Sequence, residues 1–249
     1  MKFTNDQHKI WESLLEHQLP NVQKFACREF LSGLESIELP QTQIPSLEFL
    51  NSKITPKTGW SIRRTKTRYI DSIPWYQHFV RKEFVVTDFL RSWEEFEFTH
   101  EPDMFHDIFG HLPFHMISEY TELIELFAPA FLCATKQQQE DIKRLAWFSY
   151  EFGLIRQEGE IKVFGTGLLS SIGEIAQVTS GKTSILPFTT ENVLKRNKAI
   201  YTFNKELFVF ESIEALKREL RKYFDSILKA GQSKIQSSEK IVDRQMKLS

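Results

Sequence analysis

The sequence predicts a single domain that is mostly α-helical with minor β structure. Apolar residues recur at steps of three and four, as in IWESLLEHQL, which is the period of an amphipathic helix. Strand features are confined to two short segments, GEIKVFGTG and YTFNKELFVFES. The 249 residues contain no internal repeat and no low-complexity linker. We therefore expect one folded unit over residues 1–231, followed by a flexible polar tail over residues 232–249.

The N-terminal part predicts helices interrupted by prolines. The first helix is expected to end at Pro20, because a proline inside a helix removes a backbone donor. A second helix should follow, with these apolar positions: Phe25, Phe30, Leu31 and Leu34. After Pro45, PSLEFLNSKI indicates a short helix, and the aromatic and basic stretch that begins at Gly59 indicates less regular structure.

The remaining elements are predicted in the following order. Helices are expected over residues 101–110, 118–135 and 137–156. GEIKVFGTG predicts a strand or hairpin, and LLSSIGEIAQVTS predicts another helix. YTFNKELFVFES predicts a small β element in two pieces, and SIEALKRELRKYFDSILKA an amphipathic helix.

Composition narrows the classes of function and location. Lysine and arginine number 32 and aspartate and glutamate 33, so no excess of basic residues indicates a nucleic-acid partner. The N-terminus becomes polar at once, unlike a signal peptide, and no run approaches the roughly 20 apolar residues of a membrane span. The two cysteines, Cys27 and Cys133, lie far apart in sequence, which favours a reducing compartment. We expect a cytoplasmic protein.

The segment EPDMFHDIFGHLPFH, residues 101–115, carries the first chemical signal. Pro102 and Asp103 suit the first turn of a helix. His106 and His111 are five residues apart, which places them about 140° from a common face of an ideal helix. For both to bind one metal ion, the helix is expected to end between them, and Gly110 is the candidate terminator.

Glu151 is the candidate third ligand. Its segment, QQQEDIKRLAWFSYEFGLIRQ, has an apolar stripe formed by Leu145, Phe148, Phe152 and Ile155. Glu151 falls within that stripe, where an unpaired carboxylate costs several kcal/mol or takes up a proton, and a cation removes that cost. Two imidazoles and one carboxylate with open positions form the facial triad of iron(II) oxygenases.

Other interpretations of these residues remain open at this point. A single histidine near an apolar face is more often a hydrogen-bonded core residue than a ligand. Glu151 can instead pair with Lys143 or Arg156, and His100 and His115 are rival ligands by proximity. Zinc is the rival metal, because two histidines, a glutamate and a water also suit a hydrolase. Spacing alone predicts a metal better than it predicts which metal.

Three longer blocks, EPDMFHDIFGH, WFSYEFGL and VFGTGLLSSIGE, resemble the signature blocks of the pterin-dependent aromatic amino acid hydroxylases. The chain has the catalytic-domain-only length of the family's bacterial phenylalanine 4-hydroxylases. The resemblance runs from about Gln7 to about Phe224 and includes TGW, ACREFL and FVFESIEALK. It implies the single catalytic domain of that family, with iron(II) and a tetrahydropterin (tetrahydrobiopterin or a related pterin) as cofactors.

The resemblance implies roles residue by residue. His106, His111 and Glu151 match the family's catalytic iron ligands. Arg91 matches the arginine that binds the carboxylate of the amino acid, and Asp103 is placed to orient it. The other positions matching the substrate pocket are Thr99, Pro102, Trp147, Gly167 and Ser170. The positions matching the pterin site are Ile70, Ser72, Trp75 and Asp107.

Two departures from the family pattern concern the surroundings of the iron. Ala146 stands where the family often has a tyrosine, a difference expected to loosen the pocket beside the iron and to affect the coupling of cofactor oxidation to hydroxylation. Phe98 stands where relatives often have a tyrosine.

Two further positions bear on the choice of substrate. Ile200 lies near a position where tyrosine hydroxylases favour an acidic residue, and Trp147 matches a tryptophan of phenylalanine and tyrosine hydroxylases.

We therefore expect hydroxylation of phenylalanine to tyrosine, with O₂ and the pterin as the other small-molecule reactants. Broad aromatic specificity or tryptophan hydroxylation is the alternative within the family. A zinc hydrolase and an inactive protein that binds aromatic amino acids are the alternatives outside it. No nucleic-acid or membrane partner is expected, and the chain is predicted to be a monomer or weak dimer.

Overall fold

A computed structural model describes residues 3–97, 99, 101–199 and 202–246, with side chains as far as residue 231. The fold is mostly α-helical with two small sheets, as predicted. The helices are α1 (Asn5–Phe25), α2 (Arg28–Ile37), α3 (Leu47–Thr58), α4 (Ser72–Val80), α5 (Ser118–Glu125), α6 (Phe127–Cys133), α7 (Lys136–Ala146), α8 (Thr166–Leu169), α9 (Ile172–Thr179), α10 (Thr190–Leu194) and α11 (Ile213–Met246). Two π-helical segments, His106–His111 and Trp147–Glu151, and a 3₁₀ turn, Phe114–Met116, complete the helical part.

In the described part of the chain, the strands form one two-stranded and one four-stranded sheet. They are β1 (Ser61–Thr65), β2 (Glu83–Thr87), β3 (Leu154–Gln157), β4 (Glu160–Val163), β5 (Ser184–Pro187) and β6 (Glu206–Phe210). The first sheet pairs β1 with β2 in parallel, and the second has the order β4-β3-β6-β5. The strand predicted within GEIKVFGTG is confirmed as β4, but its hairpin partner β3 lies outside that segment. Glu158 and Gly159 between them have the positive φ angles of a two-residue turn.

Several helix boundaries differ from the sequence-based prediction. Pro20 does not end α1, because buried Leu15 and Gln18 before it and Val22 after it pack into the core and outweigh one lost backbone hydrogen bond. Phe25 accordingly belongs to α1 and not to the second helix. The helix predicted over residues 118–135 is divided into α5 and α6, and the helix predicted over 137–156 gives way after residue 151 to β3.

The β structure was only partly predicted. The two-piece β element expected near the C-terminus is the single strand β6 within the described residues. Strands β1, β2 and β5 were missed, since parallel partners are joined by long crossovers and leave no local turn signal in the sequence.

Helix α11 extends to Met246, so the predicted boundary after residue 231 falls inside a helix. The flexibility of the tail stays a prediction. None of the helices in the described part of the chain has the length and apolar character needed to cross a lipid bilayer.

Aromatic packing holds the first π-helical segment against the N-terminal helices. Phe105 and Phe109 stack with ring centroids 4.8 Å apart. Trp11 of α1 packs edge-on against Phe105, and Phe30 of α2 packs edge-on against Phe109. These four rings are fully buried, so they fix the core-facing side of the segment. The two histidines of the segment lie in the wall of a cavity.

Gly33 provides a test of this packing. A Cβ atom at Gly33 in α2 would lie 1.9 Å from the carbonyl oxygen of Pro113, just beyond the π-helical segment. We expect Gly33→Ala to lower the free energy of unfolding by about 1–3 kcal/mol, since the backbone must shift. Gly231→Ala in α11 is the matched control, because its Cβ would meet only Cys133, at an ordinary 3.5 Å. Chemical denaturation showing equal effects for both variants would contradict the packing described.

Candidate metal centre

A π-helical turn brings His106 and His111 together. The segment His106–His111 has the wider turn in which residues five apart share a face. The prediction that the helix ends between the two histidines is therefore wrong. Gly110 lies inside the segment and does not terminate it. The two Nε2 atoms are 3.1 Å apart, with the ring planes nearly perpendicular.

Glu151 completes the group from the second π-helical segment. Its Oε2 lies 3.6 Å from Nε2 of His106, and its Oε1 lies 3.5 Å from Nε2 of His111. The ligand atoms of all three residues lie within 4.8 Å of one another, and the described residues contain no other such group of histidine, cysteine, aspartate and glutamate. The apolar helical stripe predicted around Glu151 is not continuous, because Ile155, its last member, lies in strand β3. The π turn over Trp147–Glu151 positions Glu151 instead.

The competing roles proposed from sequence are not found. Lys143 pairs with Glu140, and Arg156 pairs with Glu211, so neither neutralises Glu151. His115 is buried outside the group and hydrogen-bonds through Nδ1 to the His111 carbonyl oxygen. His100, like Phe98 and Ile200, lies outside the described residues.

Ser170 fixes the orientation of His106. The Ser170 hydroxyl donates to the Thr166 carbonyl oxygen at 2.8 Å, so it accepts the Nδ1–H of His106, also at 2.8 Å. This assigns the proton of neutral His106 to Nδ1 and leaves the Nε2 lone pair directed at Glu151 and His111. Sequence reasoning placed Ser170 in the substrate pocket and missed this contact.

Thr166, at the start of α8, contacts the other two members of the group. Its hydroxyl lies 3.0 Å from Oε2 of Glu151 and 3.2 Å from Nε2 of His111. The approach depends on Gly165, where a Cβ atom would lie 2.4 Å from the Glu151 carbonyl oxygen. Thr166 was not predicted, although the glycines on either side of it indicate close backbone packing.

Burial sets the protonation of the three groups. It lowers the pKa of His106 to about 4 and lowers the pKa of His111 well below its ordinary value. Burial also raises the pKa of Glu151 to about 7. Both imidazoles are therefore neutral ligands at neutral pH, and the carboxylate gains stability from a cation. Two nitrogen donors and one oxygen donor beside an open cavity fit iron(II) with its remaining positions free.

Arg91 and Asp103 form a buried ion pair next to the group. Nε and Nη2 of Arg91 each donate to Asp103 at 2.8 Å, and both side chains are almost fully buried. Burial alone would raise the pKa of Asp103, but the charge and hydrogen bonds of Arg91 hold it below its ordinary value. Asp103 also accepts the backbone N–H of His106, so it connects Arg91 to the metal-binding segment.

The predicted site residues line one cavity of about 530 Å³. His106, His111 and Glu151 lie in its wall. The other predicted residues in the wall are Arg91, Thr99, Pro102, Trp147, Gly167 and Ser170 from the substrate set, and Ile70, Ser72, Trp75 and Asp107 from the pterin set. Ala146 also lines the cavity, as does Glu174, which the sequence did not single out.

Several of these side chains are fixed by defined contacts. The indole N–H of Trp147 donates to Oδ1 of Asn204 at 3.1 Å, and its ring packs on Phe152. Oδ2 of Asp107 accepts the backbone N–H of Thr87, the last residue of β2, at 2.8 Å. The cavity wall is therefore held from both the helical and the β sides.

The raised pKa of Glu151 predicts how metal affinity depends on pH. A proton competes with the metal for Glu151 below about pH 7. Metal affinity should therefore rise with pH, by at most about tenfold per pH unit, and should level off above about pH 7. Anaerobic titration with Co(II), followed by its absorbance, measures this. Glu174 also has a pKa raised to about 7 but is not among the ligands, so Glu174→Gln should keep the dependence. Affinity that stays constant or falls as the pH rises would contradict the assignment.

Comparison with known proteins places this geometry in a family. Residues 1–247 match the family described as biopterin-dependent aromatic amino acid hydroxylase. The chain is 31% identical over 218 residues to the phenylalanine-4-hydroxylase of Mesorhizobium japonicum, covering 86% of this chain and 78% of that protein. It is 29% identical over 231 residues to that of Ralstonia nicotianae, covering 92% and 74%.

Solved structures agree with the sequence relatives. Phenylalanine hydroxylase from Legionella pneumophila superimposes with a TM-score of 0.86 at 29% identity, over 93% of this chain and 92% of that one. The Chromobacterium violaceum enzyme with bound iron(III) and oxidised cofactor 7,8-dihydrobiopterin gives 0.84 at 28% identity, over 92% and 84%. The fold, the cavity and the match over residues 1–247 lead to one conclusion: the chain belongs to the biopterin-dependent aromatic amino acid hydroxylases.

Proposed function

We propose that the chain is a monooxygenase that hydroxylates the ring of free phenylalanine to tyrosine, using iron(II), a tetrahydropterin and O₂. The observation that carries this proposal is the convergence of His106, His111 and Glu151 in a cavity that also contains the Arg91–Asp103 pair. Relatives named phenylalanine-4-hydroxylase support phenylalanine as the substrate.

His106 and His111 would hold the iron through Nε2, and Glu151 would hold it through its carboxylate. When bound, iron(II) and the tetrahydropterin would activate O₂, and the pterin would supply the two electrons that reduce to water the oxygen atom not inserted into the substrate. Ser170 keeps the Nδ1 proton of His106 away from the metal side. The protein's contribution is to hold three ligand positions and leave the others open to the cavity.

The pterin would lie against Ile70, Ser72, Trp75 and Asp107, which share the cavity with the metal ligands. Trp75 packs on Phe79 and Phe84, and these contacts hold its ring in place for stacking on a planar cofactor. Asp107 keeps a fixed position through the Thr87 N–H and is available for polar contact, directly or through water.

The amino acid would bind on the other side of the cavity. Asp103 accepts from Nε and Nη2 of Arg91, and the Phe96 carbonyl oxygen accepts from Nη1 at 3.4 Å. One hydrogen on each terminal nitrogen would remain for the carboxylate of the substrate. Trp147 offers its ring face to the substrate ring, and Thr99, Pro102, Gly167 and Ser170 complete the pocket.

Ala146 favours broader aromatic specificity as the second candidate. It lines the cavity with a side chain much smaller than the tyrosine common in the family. A larger pocket discriminates between rings by only about 1–3 kcal/mol, so tryptophan hydroxylation remains a candidate side activity.

We further propose a cytoplasmic location and a monomeric or weakly dimeric state. The location is supported by two free thiols, buried Cys27 and exposed Cys133. The oligomeric state stays a prediction, which sedimentation of the full chain tests.

Turnover tests the proposed activity. Protein loaded anaerobically with iron(II) and then given O₂ and tetrahydropterin should convert phenylalanine to tyrosine, since the cavity holds all the predicted groups. Chromatography of the products with phenylalanine, tyrosine and tryptophan in turn measures specificity, and tyrosine formed per pterin oxidised measures coupling. Zinc-loaded protein is the control and should form no tyrosine. Absence of hydroxylated product from all three amino acids would refute the proposed activity. Product formed by the zinc-loaded protein would refute the assignment of iron as the catalytic metal.

A further inference from the structure

Glu174 on α9 is a buried carboxylate without a full set of partners. The residue is only 3% exposed, and it lies in the wall of the cavity. Its Oε1 accepts from Nδ2 of Asn204 at 3.3 Å, whereas its Oε2 is buried and has no hydrogen-bond partner among the described residues. An unsatisfied buried carboxylate oxygen is costly, so a group that enters the cavity and donates to it is favoured.

Asn204 connects this carboxylate to the ring of Trp147. Its Nδ2 donates to Glu174, and its Oδ1 accepts the indole N–H of Trp147 at 3.1 Å. Asn204 is itself buried, with 2% exposure. The carboxylate and the aromatic surface are thus held at a fixed separation, which suits a ligand that carries a donor a short distance from an aromatic ring.

Among the carboxylates of the cavity wall, Glu174 and Asp107 have no cationic partner, and Asp107 lies with the residues proposed to bind the pterin and accepts the backbone N–H of Thr87. Asp103 is neutralised by Arg91, and Glu151 converges with the two histidines. Glu101 pairs with Arg68 at 2.7 Å. Lys198, elsewhere in the cavity wall, has Glu140, Lys143 and Arg144 as its charged neighbours, and Glu174 is not among them.

We propose that Glu174 binds the α-ammonium group of the amino acid substrate through Oε2. This inference rests on the proposed function, in which Arg91 binds the carboxylate and Trp147 the ring. A free amino acid then meets a complementary partner at each of its three groups. Burial raises the pKa of Glu174 to about 7, and an ammonium group at Oε2 would stabilise its charged form. The site would therefore select amino acids over aromatic acids that lack the amine.

Equilibrium binding to variants tests this role independently of turnover. Calorimetry under anaerobic conditions measures phenylalanine and 3-phenylpropanoate, which lacks the amine, against the iron-loaded protein. Glu174→Gln keeps the size and the acceptor for Asn204 but removes the charge. We expect it to weaken phenylalanine binding by about 10–100-fold and to change 3-phenylpropanoate binding by less than about twofold.

Two further variants separate the charge from the packing. Glu174→Asp retains the charge and should retain part of the preference for phenylalanine. Glu101→Gln removes another carboxylate of the cavity wall and should leave that preference unchanged. Iron content and circular dichroism check that each variant is folded.

The outcomes are distinct. Unchanged phenylalanine affinity in Glu174→Gln, or equal losses for both ligands, would overturn the role of Glu174. Wild-type protein that binds phenylalanine without turning it over would refute the proposed function alone. Wild-type protein that fails to bind phenylalanine would overturn both.

Discussion

Two π-helical turns are the constraint on which the site depends. In a regular α-helix, His106 and His111 would point about 140° apart, and the wider turn instead brings their Nε2 atoms within 3.1 Å. The second turn ends at Glu151 and directs its carboxylate to the same point. Such turns are rare and gather at functional sites, and here the stacked, buried rings of Phe105 and Phe109 hold the first one in place.

Asp103 links the candidate metal ligands to Arg91, the residue proposed to bind the substrate. Asp103 accepts from the backbone of His106 and also from the side chain of Arg91, so a shift of one would displace the other. Residues 165–170 pack from the opposite side, where Thr166 and Ser170 contact all three candidate ligands. Gly110 and Gly165 permit this approach, because a Cβ atom at either would meet backbone within 3 Å.

The sequence allowed much of this arrangement to be predicted, for identifiable reasons. Helical periodicity located most helices, and the resemblance identified thirteen site residues that line one cavity. The π turns were missed because a pattern analysis assumes 3.6 residues per turn, so Gly110 was interpreted as a terminator. Glu174 was missed because its significance depends on Asn204, which is distant in sequence and is brought next to it only by the fold.

The most direct test of the central claim is an anomalous difference map at the iron absorption edge from crystals grown with iron(II). The account predicts one strong peak within coordination distance of Nε2 of His106, Nε2 of His111 and the carboxylate of Glu151, with Nδ1 of His106 on Ser170. A peak coordinated by His115, by Nδ1 of His106 or without Glu151 would contradict it.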